Sequence, residues 1–255
     1  MKRRNIVLSS LAMGSILLMV ACNSGEPTNT SSSVASPTTS LTTKPTTETT
    51  TTIAASKMDV TVTVVYPDGT PLVGKRVQWC TTDGTCDPNM VETNSDGVAV
   101  TTYDSSKSYI AHVLESDLPE GYSYNPNEVI LTKDNTSGTI HLVELSTTSS
   151  GTGKNDDPYA ISVGNYIAEY KRKEGAIYYS FTATEAGEYT IESYSSLIGV
   201  TLSYYGSSFE NEIVEVSTGG YGDNFKYKFN ASADETVYFS VAASGTNSFL
   251  FSISK

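Results

Sequence analysis

From residue 58 onward apolar and polar positions alternate with period two, the signature of strands that bury one face. Val60, Val62 and Val64 alternate with Thr61 and Thr63, and Pro67-Asp68-Gly69 then turns the chain. Val77 and Trp79 continue the alternation, Asn94-Ser95-Asp96-Gly97 makes another turn, and Val98 and Val100 follow it. Further strands are expected at 108–114, 128–132 and 139–145. About seven short strands in roughly 90 residues, punctuated by turns, predict a β-sandwich.

After residue 155 the alternation is stronger and aromatic. Ile177, Tyr179 and Phe181 face one way, with Tyr178, Ser180 and Thr182 the other. The same holds for Tyr189 and Ile191, for Phe225, Tyr227 and Phe229, for Val237, Phe239 and Val241, and for Phe249, Phe251 and Ile253. Aromatic-in, polar-out strands in this number predict two packed antiparallel sheets. All 7 Phe lie in this part, whereas the single Trp, Trp79, lies in the first. That difference argues against an internal repeat.

The chain begins differently. Lys2, Arg3 and Arg4 precede an apolar run over residues 6–20, too short for a usual membrane helix and suited to a signal peptide. The run ends Leu18-Met19-Val20-Ala21-Cys22. Residues 23–57 then form a tether in which 19 of 35 positions are Ser or Thr. Such a stretch buries too little apolar surface to offset ordering, and its expected span is about 30 to 35 Å. A second polar joint, Ser-Thr-Thr-Ser-Ser-Gly-Thr-Gly-Lys at 146–154, separates the two patterned parts. The expected organisation is therefore a signal peptide at 1–21, Cys22 and tether at 22–57, one sandwich at 58–146, a joint at 147–154 and a second sandwich at 155–255. The fold class is all-β.

Three resemblances rest on these residues. Small residues before Cys22 resemble the lipobox of bacterial lipoproteins, with Met19 where that family prefers Leu. This implies cleavage before Cys22 and acylation of its thiol, which would anchor the chain to a membrane by lipid; the competing reading is an ordinary secretory signal. Val64-Val65-Tyr66-Pro67-Asp68-Gly69-Thr70, Thr93-Asn94-Ser95-Asp96-Gly97-Val98-Ala99 and Leu118-Pro119-Glu120-Gly121-Tyr122 resemble carboxypeptidase-regulatory-like domains and the related Cna-B modules. That resemblance implies a prealbumin-like spacer without catalysis. The Lys–Asn isopeptide bond of many Cna-B modules is not expected, since the first strand has no interior Lys and the last no Asn. Asn155-Asp156-Asp157-Pro158-Tyr159, Tyr178-Tyr179-Ser180-Phe181-Thr182-Ala183 and Ala186-Gly187-Glu188-Tyr189-Thr190 are similar to bacterial pre-peptidase C-terminal domains. They imply a jelly-roll-like accessory module for binding, often toward carbohydrate or cell wall.

Candidate chemistry is sparse. Cys80-Thr81-Thr82-Asp83-Gly84-Thr85-Cys86 reads as a hairpin with a three-residue loop, Gly84 at its left-handed position and Cys80 opposite Cys86. A disulfide is expected; the rival is a redox or metal pair, which would favour C-x-x-C spacing or need further ligands. Only two histidines exist, His112 and His141, both in expected strands, and no G-x-S-x-G elbow precedes a helix. The acidic turns Asp68-Gly69, Asp83-Gly84, Asp96-Gly97 and Asp156-Asp157 lack the spacing of a calcium loop and read as turn chemistry. No catalytic residue, metal site or cofactor is expected. By strand parity Tyr178, Tyr205 and Tyr238 point away from the core, where a ring can stack on a sugar. The competing reading is cross-strand pairing on a Tyr-rich sheet, or contact with the first part.

Composition narrows the partners. The 255 residues carry 16 basic and 28 acidic side chains, a formal charge of −12, which disfavours nucleic acid. The expectation is a non-enzymatic, lipid-anchored bacterial cell-surface protein that displays a binding or adhesion sandwich on a spacer. Its partners would be the membrane, through Cys22, and a cell-wall or host carbohydrate or a surface protein. The alternative is an accessory subunit that recruits a surface hydrolase or transporter.

Overall fold

The computed structural model describes residues 56–196, 198–220, 222–245 and 247–255. The expected signal peptide, Cys22 and the tether as far as residue 55 lie outside these residues. The described chain is all-β, two sandwiches of 17 strands in total with one 3₁₀ turn, Glu115–Asp117.

The first sandwich uses β1 (Lys57–Val65), β2 (Arg76–Thr81), β3 (Val91–Glu92), β4 (Val98–Asp104), β5 (Tyr109–Val113), β6 (Tyr122–Tyr124), β7 (Ile130–Leu131) and β8 (Ser137–Glu144). One sheet runs β4-β1-β8-β6 and the other β3-β2-β5-β7. Strands β1 and β8 pair in parallel; the remaining pairs are antiparallel. The inward positions of β1 are Met58, Val60, Val62 and Val64, which pack in one cluster with Val77, Trp79, Ala111 and Leu142. On β4 the inward residue is Ala99, and Val100 is 53% exposed. Pairing decides this, because Val62 sits opposite Ala99 and cross-strand partners share a face. The short strands β3 and β6 carry no periodic signal of their own and depend on the neighbours they pair with.

The second sandwich follows with β9 (Tyr159–Ile161), β10 (Gly164–Tyr170), β11 (Ile177–Thr182), β12 (Gly187–Tyr194), β13 (Val200–Gly206), β14 (Val214–Val216), β15 (Lys226–Ala231), β16 (Thr236–Ala243) and β17 (Asn247–Ser254). Its sheets run β10-β17-β12-β15 and β14-β13-β16-β11-β9. Every inward aromatic expected on β11, β12, β16 and β17 is buried: Tyr179, Phe181, Tyr189, Phe239, Phe249 and Phe251. The rings form a continuous stack. Tyr179 lies 5.3 Å from Phe239 in its own sheet and 5.0 Å from Phe251 in the facing one. Such pairs contribute about 0.5 to 1.5 kcal/mol each beyond area burial.

The polar joint is built into the second sandwich. Ser149 N–H donates to Ala160 O at 2.9 Å and Ala160 N–H to Ser150 O at 3.0 Å. Tyr178 N–H donates to Gly153 O at 2.9 Å. These Ser, Thr and Gly residues have no apolar face to bury, so hydrogen bonds attach them to the sheet, mostly main-chain ones with Ser149 Oγ to Ala160 O at 3.1 Å beside them.

Both sandwiches belong to one compact unit. Three buried apolar residues, Cys80, Ile110 and Leu250, belong to neither core cluster. Leu250 and Ile110 sit at outward strand positions and line clefts walled by both sandwiches, Leu250 with Tyr122 and Tyr124, Ile110 with Ser195 and Ile198. Asn127 Nδ2 donates to Ser195 O at 2.9 Å, and Ser146 N–H to Asn165 O at 2.7 Å, which ties the two halves directly. A third tie lies inside the first sandwich. Asp117 accepts from Arg76 N at 3.0 Å, Nε at 2.9 Å and Nη2 at 2.7 Å, pinning the 3₁₀ turn to the start of β2. The Arg76 side chain, then its N–H, hold the Asp117 carboxyl well below the usual carboxylate range.

Two outcomes follow from these ties. The chain is expected to unfold in one calorimetric transition, and Leu250→Asp, by placing a charge between the sandwiches, to split it into two. Because its folded pKa is depressed, Asp117 contributes stability that is present above the ordinary value of 3.8 and lost as pH falls below it. Asp117→Asn is therefore expected to lower Tm at neutral pH, with the gap to the parent closing in acid, as a pH series of melts would show.

Candidate functional site

The outer face of the five-stranded sheet gathers Tyr178 from β11, Tyr205 from β13 and Tyr238 from β16. Register explains part of this. Tyr178 sits opposite Ser240 and Tyr238 opposite Ser180, so both project from the face away from the core. Strand β13 pairs with β16 on the other side and is interrupted by a bulge: Tyr204 faces Phe239, Gly206 faces Tyr238, and Tyr205 is the extra residue. Gly206 adopts φ +67°, a left-handed conformation that a bulge of this kind requires.

Phe209, just beyond the bulge, joins the three tyrosines. Its ring centroid is 5.2 Å from Tyr178, 5.1 Å from Tyr205 and 4.8 Å from Tyr238, and Tyr178 and Tyr205 are 6.5 Å apart. All four are half-buried. Beneath them Ser240, at an outward position, is only 3% exposed, with the Tyr205 hydroxyl 3.4 Å from its Oγ. Desolvation raises the Tyr178 pKa, as expected for a hydroxyl beside apolar rings. Strand parity nominates the tyrosines but not Phe209, which belongs to no strand; the one available hint is an aromatic close behind a glycine-ended strand.

A groove of about 790 Å³ opens beside this patch and shares Tyr178 with it. It runs between β10 on one sheet and β9, β11 and the joint on the other, lined by Tyr159, Tyr166, Ile177 and Tyr179. Its rim carries Lys154 and Glu169 together with the ion pair Lys171–Glu174 at 3.4 Å. Mixed charge around an aromatic lining gives the groove no preference for either sign.

The remaining residues singled out above serve the fold. Cys80 and Cys86 are bonded in a disulfide, directly opposed with Cα atoms 3.8 Å apart. Thr81 N–H bonds Thr85 O at 2.8 Å and Asp87 N–H bonds Trp79 O at 2.9 Å on either side, and Gly84 has φ +91°. Asp68 Oδ1 accepts from Thr70 N at 2.9 Å and Oγ1 at 2.7 Å, Asp83 Oδ1 from Thr85 N at 3.2 Å, and Asn94 Oδ1 from Asp96 N at 2.9 Å. These carboxylates and amide close their own turns. Among the described residues no group of three or more His, Cys, Asp or Glu is placed to hold a metal ion. His112 lies on β5, where burial lowers its pKa, and His141 on β8 in the other sheet, its Nδ1 2.5 Å from Glu128 Oε1. The two histidines therefore do not share a site.

No known protein family matches the sequence, and no curated protein does. Among solved structures the chain is similar to the pre-peptidase C-terminal domain of a collagenase from Bacillus anthracis. Identity there is 17% over 37% of this chain and 92% of that one, with a TM-score of 0.32. It is also similar to BcpA, the major pilin subunit of Bacillus cereus, at 12% identity over 78% of this chain and 59% of that one, TM-score 0.30. A DUF3823 family protein from Parabacteroides merdae gives 13% identity over 78% and 97%, TM-score 0.29. At such TM-scores these likenesses carry no argument about what the chain does. No helix among the described residues is long and apolar enough to cross a membrane.

Proposed function

We propose that this chain is a non-enzymatic bacterial cell-surface protein that binds carbohydrate through the second sandwich, with the first acting as its spacer. One observation carries the reading: Tyr178, Tyr205 and Tyr238 gather with Phe209 into one aromatic patch on an outward sheet face. A tyrosine ring offers an apolar plane with a polar edge, which matches the C–H face and hydroxyl rim of a sugar. Phe209 packs on all three tyrosines and Ser240 lies buried beneath them, so the rings are held in place before a ligand arrives, and little ordering entropy remains to be lost on binding. The chain's excess of acidic residues favours a neutral glycan over an anionic one by long-range repulsion. In this reading Cys22 carries acyl chains, and the tether holds the sandwiches away from the bilayer; two or three chains supply the anchoring that a single one does not.

Two experiments test the reading. On a glycan array the chain is expected to bind a neutral polysaccharide, and Tyr205→Ala with Tyr238→Ala to weaken binding at least tenfold, by analogy with stacking losses of about 1 to 3 kcal/mol per aromatic. Binding unchanged in the double variant would sink the platform. Fractionation of expressing cells is expected to find the parent in the membrane and Cys22→Ser in the soluble or secreted fraction; equal release of both would remove the lipid anchor from the proposal.

A further inference from the structure

Strand β10 ends the four-stranded sheet and pairs with one strand, β17, in an unbroken register from Gly164 to Tyr170. Its other side can be read from one hydrogen bond. Asn165 O accepts from Ser146 N–H at 2.7 Å, so the main-chain groups of Asn165 point away from β17. Period two sends the N–H and C=O of Ile167 and Glu169 in the same direction. Among the described residues no hydrogen bond reaches these four groups.

An unpaired edge is a template for another strand, and proteins usually blunt one by making it short, bulged or charged. Most of the other edge strands illustrate this: β3 and β7 have two residues each, β6, β9 and β14 have three, and β15 presents Lys226 and Lys228; β4 also has seven, but none of the described cavities runs along it. Strand β10 has seven residues, no bulge, and exposed aliphatics on its outer side, with Ile167 37% and nearby Val163 48% exposed. Its open edge borders the aromatic groove of about 790 Å³. The two features are independent: one is a set of unsatisfied backbone groups, the other a cavity lined by rings.

We infer that this groove takes an extended segment of a partner protein, added as a further strand beside β10. Successive outward pairs on an edge recur about every 7 Å, which is the two-residue repeat of a polypeptide, so a backbone ladder selects another backbone. Alternate side chains of the segment would enter the slot between the sheets, toward Tyr159, Ile177 and Tyr179, and the intervening ones would cover Ile167 on the outer face. The segment is therefore uncharged and apolar at alternate positions. This site does not depend on the tyrosine platform, and a failure of either leaves the other standing.

The test is selection of a displayed decapeptide library on the full chain, followed by affinity measurement with the winning synthetic peptides. Winners are expected to show apolar residues at alternate positions. Ile167→Pro removes the outward donor and leaves the β17 ladder intact, because that N–H faces away from β17. It is expected to weaken binding roughly three- to tenfold, the value of about one hydrogen bond, with Tm unchanged. N-methylation of alternate peptide amides is expected to abolish binding to the parent chain, which keeps the test decisive should the proline variant misfold. Hydrogen exchange at Ile167 and Glu169 should slow only when peptide is present. The inference fails if no peptide is selected, or if selected peptides bind the N-methylated and parent forms alike. Slow exchange at both amides in the peptide-free monomer would mean that the chain's own tether already fills the edge, and a dimer abolished by Ile167→Pro would mean that a second copy does; either result overturns it.

Discussion

The packing of Tyr179 against Phe239 and Phe251 holds the second sandwich in register. Tyr179 and Phe239 are cross-strand partners in one sheet, and Phe251 meets both from the facing sheet at 5.0 Å and 6.3 Å. Once these rings face inward, period two leaves no choice for their neighbours. Tyr178, Tyr238 and Ser240 must face out, and β10, which pairs with β17 through Tyr166 opposite Phe251, must present Ile167 and Glu169 at the open edge. The candidate sites are thus the other side of the core's own geometry. A one-residue slip of β11 or β16 would exchange the core and the platform.

The first sandwich reaches the same architecture with mostly aliphatic residues, joined by Trp79, Tyr109 and Tyr124. Its core is smaller, and bonds help to secure its ends: the Cys80–Cys86 hairpin, the Arg76–Asp117 fork and the closed Asx turns. The outward burial of Ile110 and Leu250 then makes the two sandwiches lean on one another. This distinguishes the pair from two beads on a string. The candidate face on the second is carried by a body that includes the first.

Much of the fold was legible where chemistry and period agreed. The alternations around Val60, Tyr179, Tyr189, Phe239 and Phe251 each became a strand with the expected side buried. Strands β10 and β13 were less legible. Gly164, Ala168 and Gly206 dilute their patterns, although Tyr166, Ala168, Leu202 and Tyr204 are all buried in the core. The β4 pattern of Val98 and Val100 pointed outward, because Ala99, too small to stand out by hydrophobicity, occupies the inward place. Of the candidate platform, parity nominated Tyr178, Tyr205 and Tyr238, while Phe209, which touches all three, lies in a loop to which no period applies.

The sequence by itself determined the class of fold and the hairpin chemistry, because alternation, Asp-Gly turns and cysteine spacing act over a few residues. Tertiary structure decided which outward residues meet. The extra residue in β13, the return of Phe209, the docking of the Ser-Thr joint on β9 and the unpaired edge of β10 each depend on strand order. Strand order is set by which sheets pack across a core, and that is a choice among long-range contacts that no local pattern records.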